Sequence, residues 1–383
     1  MPDLSVNVDG LRLPNPFLIA SGPPGTNGTV ILRAFEEGWG GVVSKTCLLD
    51  HTKIVNVSPR YARMRAGGAR SDGGGSGDEI IGWENIELIS DRPFEDWLDD
   101  FRRVKDRFPG GVLIASVMEE FSRDAWAEII GRCEEAGVDG FELNLSCPHG
   151  LPERRMGAAM GQEPEIIEEV CSWARGATRR PIWAKLTPNI TRIDDAARAA
   201  LKAGCSGISA INTVLCVMGV DLETLRPLPT VEGYSMAGGY SGKAIRPIAL
   251  RMAMESAMLI EAEFPGRSLS ALGGIETGED AAQFMLLGAD TVQVCTGVMI
   301  HGYGLVRELK RGLERFMERH GFERVEEFRG RSLAFMTTHA DLVARQRAAR
   351  QNDTHGTKPA VLTDVQWRAD RFVQQSEGLL NQP

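Results

Sequence analysis

The sequence lacks any pair of cysteines spaced as Cys-x-x-Cys, although it contains seven cysteines in 383 residues. An odd number of scattered cysteines is typical of reduced thiols, and it predicts neither a disulfide framework nor a zinc or iron–sulfur site. No apolar run approaches the roughly 20 residues that a helix needs to cross a bilayer. The N-terminus also lacks the basic and apolar regions of a signal peptide. We therefore predict a cytoplasmic protein without a membrane segment.

An excess of positive charge is absent as well, since the net charge is −9 at pH 7. Neither a nucleic acid nor an anionic membrane surface is therefore expected as the main partner. The length suits one large α/β barrel with an appendage, or two medium domains.

Short apolar runs rich in β-branched residues recur along the chain and predict eight buried strands. They are Phe17–Ala20, Gly41–Lys45, Val112–Val117, Gly140–Leu145, Ile182–Leu186, Gly207–Ile211, Leu269–Leu272 and Thr291–Val294. Segments with helical spacing separate most of them, and several end at a glycine. This alternation favours an α/β fold of the (β/α)₈ TIM-barrel type over an open doubly wound sheet of six or seven strands.

Three regions fall outside this alternation. Residues 4–13 are predicted to form an N-terminal β-hairpin with Asp9-Gly10 at its turn, which closes the bottom of the barrel. The insertions 46–111 and 214–267 are glycine-rich, and we interpret them as long functional or interfacial loops. We predict a catalytic barrel domain over 1–321 and a helical C-terminal extension over 322–383.

The loops after the seventh and eighth strands carry Gly273-Gly274 and Thr296-Gly297. In TIM barrels these two loops frequently bind phosphate through backbone N–H groups, and glycine allows the backbone to approach the anion closely. The two pairs together predict a phosphate site.

Two lysines, Lys45 and Lys185, stand inside apolar strands. Lysine is almost never fully buried without a partner, so each needs an anion or a polar ligand. A flavin offers one, because its ring becomes anionic on reduction. A Schiff-base lysine and a lysine that extends to the rim are the alternatives.

Amide and thiol side chains are expected at the same end of the barrel. Asn85, Asn144 and Asn212, with Thr213, offer donors and acceptors that suit an imide or amide ring such as a pyrimidine. Cys147 follows the fourth strand in the run 144–150, Asn-Leu-Ser-Cys-Pro-His-Gly, where a thiol is a plausible proton donor.

Several of these motifs, together with others, resemble the FMN barrel of dihydropyrimidine dehydrogenase, within the class 1 dihydroorotate dehydrogenase-like group. The resemblance covers about residues 4 to 320 and is carried by 56–60, 85–90, 144–150, 184–189, 211–213, 242–250 and 272–275. It extends to the catalytic subunit of the bacterial NAD-dependent enzyme.

The resemblance implies an FMN-dependent oxidoreductase that interconverts uracil or thymine and the 5,6-dihydro form. It implies that Cys147 is the general acid or base, and that the 151–157 loop closes over substrate. The implied substrate contacts are Asn85, Glu87, Asn144, Asn212 and Thr213. The implied FMN contacts are Ala20, Ser21, Lys45, Lys185, Ser241, Gly242, Gly273, Gly274, Thr296 and Gly297.

One departure from the family concerns electron supply, because residues 322–383 contain no cysteine and cannot ligate iron–sulfur clusters. We expect electrons to come from a separate protein carrying NAD(P)H, FAD or iron–sulfur chemistry, from a small donor, or from a second substrate. The rival functions are dihydroorotate oxidation, a Schiff-base aldolase or lyase on Lys185, and a non-catalytic assembly subunit. The insertions and the extension predict a homo-oligomer, either a dimer or a tetramer.

Overall fold

The computed structural model describes residues 2–66, 79–146 and 157–352. Cys147, nearly all of the 151–157 loop, the glycines between 67 and 77 and the chain beyond 352 lie outside the described residues. Contacts divide the chain into two units, 1–333 and 334–383.

The strands and helices of the described residues follow in chain order. The strands are β1 Val6–Val8, β2 Leu11–Leu13, β3 Phe17–Ile19, β4 Gly41–Val43, β5 Tyr61–Arg65, β6 Ile80–Asn85, β7 Val112–Val117, β8 Gly140–Asn144, β9 Ile182–Lys185, β10 Gly207–Ala210, β11 Val214–Cys216, β12 Val220–Asp221, β13 Arg226–Pro227, β14 Gly238–Ser241, β15 Ser268–Leu272 and β16 Thr291–Val294. The α-helices are α1 Gly28–Glu37, α2 Phe94–Arg107, α3 Arg123–Glu135, α4 Ala158–Gly161, α5 Pro164–Ala177, α6 Ile193–Lys202, α7 Arg246–Glu263, α8 Gly278–Leu286, α9 Thr296–His301, α10 Leu305–His320 and α11 His339–Asn352. Short 3₁₀ helices lie at Pro23–Gly25, His51–Lys53, Lys243–Ile245, Val325–Glu327 and Leu333–Phe335.

Eight of these strands form a closed parallel barrel in the order β3, β4, β7, β8, β9, β10, β15 and β16. Every residue of these eight strands is buried, as expected for parallel strands that are covered by helices. The predicted TIM barrel and its eight strands are thereby confirmed.

The N-terminal hairpin pairs β1 with β2 through a turn at Asp9 and Gly10, which have φ angles of 53° and 84°. Positive φ at both central residues is what a tight hairpin turn requires. Asp9 Oδ2 accepts hydrogen bonds from Trp183 Nε1 at 2.7 Å and from Ser268 Oγ at 2.6 Å. Because Ser268 opens β15, the hairpin covers the N-terminal end of the barrel, as predicted.

Local capping marks the bounds of some of the barrel helices. The Asn27 side chain accepts from the backbone N–H of Val30 at the start of α1, and Gly38 ends that helix at φ 97°. Thr277 and Asp280 form a reciprocal capping box at the start of α8.

The predicted insertions contain more regular structure than loops. β5, β6, β14 and β11 form a four-stranded antiparallel sheet in the order β11, β14, β6, β5. Residues 46–111 also include α2, and residues 214–267 include the 18-residue α7. The sheet brings Asn85 of β6 beside Gly239 of β14, so it contributes directly to the site described below.

The first unit extends past the predicted boundary at residue 321. Val325, Phe328 and Leu333 are buried, and the ring of Phe328 packs 5.2 Å from that of Phe316 in α10. The helical character of the whole 322–383 extension stays a prediction. None of the described helices is long and apolar enough to cross a membrane.

Candidate active site

A cavity opens at the C-terminal ends of the barrel strands. Fifteen of the sixteen residues predicted for the site line it; the exception, Cys147, lies outside the described residues. The lining residues among them are Ala20, Ser21, Lys45, Asn85, Glu87, Asn144, Lys185, Asn212, Thr213, Ser241, Gly242, Gly273, Gly274, Thr296 and Gly297. The fold therefore brings these positions into one space, while their chemical roles stay predictions.

The barrel strands deliver many of these side chains directly. Asn144 and Lys185 are the last residues of β8 and β9, and they are register partners in the sheet. Lys45 follows β4 by two residues and Asn212 follows β10 by two residues. Residues at strand C-termini converge because all eight strands run in the same direction.

Lys45 forms a buried ion pair with Glu87. Its Nζ lies 2.6 Å from Glu87 Oε1, and both side chains are less than one-tenth exposed. Glu87 also accepts a hydrogen bond from the Tyr61 hydroxyl at 2.8 Å and lies 3.3 Å from Arg60 Nη1. Burial and the Glu87 carboxylate raise the pKa of Tyr61, so this hydroxyl stays a donor. Three groups thus fix one carboxylate at the cavity wall.

Lys185 is paired with a second carboxylate deeper in the barrel. Its Nζ lies 3.3 Å from Glu142 Oε1, and the Glu142 side chain is fully buried. Gln293 Nε2 donates to Glu142 Oε2 at 2.9 Å. Both strand lysines therefore have carboxylate partners within the protein, which sequence reasoning did not identify.

Amides and hydroxyls form a connected chain across the cavity wall. Asn144 Nδ2 donates to Thr46 Oγ1 at 2.9 Å, and Ser146 Oγ donates to Asn144 Oδ1 at 3.2 Å. Asn212 Nδ2 donates to Ser146 Oγ at 2.9 Å, while Asn212 Oδ1 accepts from Thr213 N at 2.8 Å. These bonds hold the amide planes of both asparagines in defined orientations. A planar ring with N–H and C=O groups is the kind of ligand that such a wall recognises.

Glycines crowd together at the other end of the cavity. A Cβ on Gly274, whose φ is 75°, would lie 2.7 Å from Gly242 O, and a Cβ on Gly273 would lie 2.4 Å from Ala249 Cβ. A Cβ on Gly297 would lie 2.7 Å from Ile275 O. Only glycine allows the segments at 242, 273–275 and 297 to lie so close together. They form a surface of bare backbone that suits an anion such as phosphate.

Some polar atoms of the lining residues have no hydrogen-bond partner within the described residues. They are Trp83 Nε1, Glu276 Oε1 and Gln293 Oε1. Buried polar atoms are rarely left without a partner in native proteins. Their position in one cavity is what a site built for a polar ligand would show.

Cys295 places a thiol in the cavity. Burial raises its pKa to about 11; the charges of Lys185 and Lys45 lower the pKa by smaller amounts, and the charge of Glu87 raises it. The thiol is therefore neutral near pH 7.

Sequence reasoning did not assign site roles to Thr46, Tyr61, Trp83, Glu142 or Gln293. A signal existed for Glu142, because it is a charged residue inside an apolar strand, the same feature that singled out the lysines. The others carry no distinctive local pattern.

No group of three or more His, Cys, Asp or Glu residues is arranged to hold a metal ion within 2–66, 79–146 and 157–352.

Comparison with known proteins identifies the family. The family model of dihydroorotate dehydrogenase matches residues 3–317. The chain belongs to the dihydroorotate dehydrogenase family. It is 56% identical to the chloroplastic dihydropyrimidine dehydrogenase (NADP(+)) of Arabidopsis thaliana, over 99% of this chain and 88% of that protein.

Other members of the dihydroorotate dehydrogenase family are also similar. The NAD-dependent dihydropyrimidine dehydrogenase subunit PreA of Escherichia coli K12 is 40% identical over 86% of this chain and 76% of its own length. The catalytic subunit of dihydroorotate dehydrogenase B (NAD(+)) of Pyrococcus abyssi is 35% identical over 86% of this chain and 99% of its own. The crystal structure of Eimeria tenella dihydroorotate dehydrogenase in complex with ferulenol superimposes with a TM-score of 0.69 at 21% identity, covering 87% of this chain and 89% of that one. At that identity, the superposition supports the fold alone.

The family and the fold predicted from the sequence are thereby confirmed. The predicted enzyme class, an oxidoreductase of the dihydropyrimidine and dihydroorotate dehydrogenase type, is confirmed as well.

Proposed function

We propose that this protein is an FMN-dependent oxidoreductase that interconverts a pyrimidine base, uracil or thymine, and its 5,6-dihydro form. The observation that carries the proposal is the hydrogen-bonded chain from Thr46 to Thr213, which shares one cavity with two buried lysines. The 56% identity to a dihydropyrimidine dehydrogenase over nearly the whole chain supports the same substrate class.

The cavity fits flavin mononucleotide. Its lining combines bare backbone at the glycines with hydroxyl, amide and ammonium groups, which are the partners that a phosphate and a flavin ring need. Gly242, Gly273, Gly274 and Gly297 would hold the phosphate, and Lys45 and Lys185 would lie against the ring system. The cofactor would supply hydride chemistry, and the protein supplies orientation and charge.

The substrate would be read by the wall of amides. Asn85, Asn144 and Asn212, with Thr213, offer donors and acceptors to the N–H and C=O groups of the pyrimidine, and Glu87 offers a fixed carboxylate that accepts from a ring N–H. Because Tyr61 and Arg60 hold Glu87, its position is set before substrate binds.

Cys147 remains the proposed proton donor to C5 of the pyrimidine. The proposal follows from the family resemblance, since the residue lies outside the described part of the chain. An ordinary thiol with a pKa near 8.5 is mostly protonated at neutral pH and is able to donate.

Dihydroorotate is a weaker substrate candidate because its carboxylate requires a cation. Among the described lining residues the cations are Lys45 and Lys185, and both are paired with carboxylates. The fixed Glu87 carboxylate would repel a second carboxylate nearby.

The Schiff-base alternative is disfavoured by the same pairing. A nucleophilic lysine must be a neutral amine, whereas Glu142 lies 3.3 Å from Lys185 Nζ and favours the ammonium form.

Electrons would reach the site from outside this chain. PreA and the Pyrococcus abyssi protein are both named as subunits, which supports a separate electron-transfer protein as the partner. The cytoplasmic location and the homo-oligomer stay predictions, and the plant relative is named as chloroplastic.

The test is anaerobic reduction of the purified, FMN-loaded protein followed by visible absorption. We expect dihydrouracil or dihydrothymine to bleach the flavin band, and dihydroorotate to do so at least 100-fold more slowly. Bleaching by dihydroorotate alone would contradict the proposed substrate. A colourless protein that borohydride traps with a carbonyl substrate would favour the lyase instead.

A further inference from the structure

A buried carboxylate lies directly behind one of the two cavity lysines. Glu142 precedes Asn144 by two residues in β8, so both side chains face the barrel interior and Glu142 lies one layer deeper. Glu142 has no exposed surface, and the Lys185 side chain is 5% exposed. Their charged atoms are 3.3 Å apart.

The Glu142 carboxylate is held from its other side. Gln293 Nε2 donates to Glu142 Oε2 at 2.9 Å and also contacts the hydroxyls of Ser209 and Ser270 at 3.1 Å each. Glu142 Oε1 has no hydrogen-bond partner among the described residues, and this oxygen faces the ammonium group of Lys185. A carboxylate buried in this way is stable only when it is paired.

We propose that Glu142 keeps Lys185 in its ammonium form while the flavin is oxidised, so that flavin reduction leaves the proton count of the lysine unchanged. The inference rests on the proposed flavin site. A buried amine without a counter-ion favours its neutral form. Without Glu142, the negative charge that arrives on reduction would therefore draw a proton onto Lys185.

The proton balance differs between the two cases. In the wild-type protein, reduction consumes two electrons and one proton, which the flavin ring takes up, and Lys185 keeps the proton it already has. In a Glu142→Gln protein, reduction consumes two electrons and two protons, and the second proton goes to Lys185 Nζ. The electrons come from dithionite in the experiment, and from the electron-transfer protein or a dihydropyrimidine in turnover.

The other titratable groups around Lys185 do not supply this proton. Burial raises the pKa of Cys295 to about 11, so its thiol stays protonated from pH 7 to 9. Lys45 and Glu87 face the same space, and they neutralise one another at 2.6 Å. An ordinary thiol titrates near pH 8.5, so Cys147 is replaced by alanine in every protein measured, the one with native Glu142 included, and the pH response in this range then reports on Lys185.

The experiment measures the midpoint potential of the FMN-loaded protein between pH 7 and 9. One proton coupled to a two-electron reduction changes the equilibrium tenfold per pH unit, which is about 30 mV. We expect a slope of about 30 mV per pH unit for the wild-type protein and about 60 mV for Glu142→Gln.

Three variants separate charge from packing. Glu142→Asp retains the carboxylate and is expected to restore the slope of about 30 mV per pH unit. A Glu142→Gln, Lys185→Met double variant lacks Lys185 and is expected to return to a slope of about 30 mV per pH unit. Glu142→Ser adds a hydroxyl like those of Ser209 and Ser270, and it provides a second neutral variant should Glu142→Gln not fold.

A slope of about 30 mV per pH unit in Glu142→Gln or Glu142→Ser would overturn the inference. A slope of about 60 mV per pH unit in the wild-type protein would overturn it as well. Failure of the wild-type protein to bind FMN would overturn the proposed function and the inference together. FMN binding with an unchanged slope in Glu142→Gln would overturn the inference alone.

Discussion

Removal of either member of the Lys45–Glu87 pair should strongly destabilise the flavin-free protein. Removal of both should lower the free energy of unfolding by less than the sum of the two single effects. At 2.6 Å and an effective dielectric constant of about 20, the direct attraction is roughly 6 kcal/mol. Desolvation offsets most of this attraction. We expect Glu87→Gln to lower the free energy of unfolding by about 3 kcal/mol, because Lys45 then stays buried without a partner.

Lys45→Met should lower the free energy of unfolding by less, about 2 kcal/mol, because Glu87 keeps Arg60 and the Tyr61 hydroxyl as partners. In the double variant the free energy of unfolding is expected to fall by about 3 kcal/mol. The single effects together exceed this value by about 2 kcal/mol, which is the coupling energy of the pair. Urea unfolding followed by tryptophan fluorescence measures all four proteins.

A matched control is the exposed pair Arg251–Glu255 on α7, with a separation of 3.0 Å and side chains 45% and 31% exposed. Its coupling should be only about 0.3–0.5 kcal/mol, because water screens it. Equal coupling energies for the two pairs, or additivity at Lys45 and Glu87, would refute the reasoning that burial gives this ion pair its strength.

Three further predictions concern single residues. Tyr61→Phe removes a hydrogen bond to a carboxylate, so the KM for the pyrimidine should rise about tenfold while FMN content stays constant; an unchanged KM would argue against a fixed Glu87. Burial raises the pKa of Glu119 from 4.5 to about 7, so its contribution to stability is complete below pH 4.5 and is lost as the pH rises to about 7. Glu119→Gln should therefore remove a fall of roughly 3 kcal/mol in unfolding free energy across that range, and an unchanged pH profile in urea unfolding would contradict this. Cys147→Ala should retain FMN that dithionite reduces but slow pyrimidine turnover by about 10²–10⁴-fold, and full turnover would remove the proton-donor role.

The barrel could be predicted from the sequence because each of its strands is buried on both faces. A buried parallel strand appears as a continuous apolar run, such as Val112–Val117, and the pattern is local. The hairpin was predictable for a similar reason, since Asp9-Gly10 specifies its own turn. The lysines were conspicuous because they interrupt such runs.

The four-stranded sheet was not predictable from local pattern. β5, Tyr61–Arg65, has exposed or half-buried positions throughout and no apolar alternation. β6 follows β5 in the chain, but β6 in turn pairs with β14, which lies about 155 positions away. Strands of this kind are defined by cross-strand partners rather than by their own composition.

The partners of the lysines were missed for the same physical reason. Glu87 reaches Lys45 across 42 positions, and Glu142 reaches Lys185 across 43. Sequence indicates that a buried lysine needs an anion, but only the folded chain shows which carboxylate is adjacent. The flavin was therefore a reasonable partner to expect, although the protein already supplies one for each lysine.

The central claim is that the glycine end of this cavity holds FMN, and the most direct test is the FMN content of two alanine variants. Gly274 and Gly266 both have positive φ, 75° and 90°, so alanine costs each about 1–2 kcal/mol in backbone strain. A Cβ at Gly274 would lie 2.7 Å from Gly242 O, whereas a Cβ at Gly266 meets nothing within 4 Å. We expect Gly274→Ala to lose most of its FMN and Gly266→Ala to retain one FMN per chain. Equal FMN content in the two variants would contradict the account.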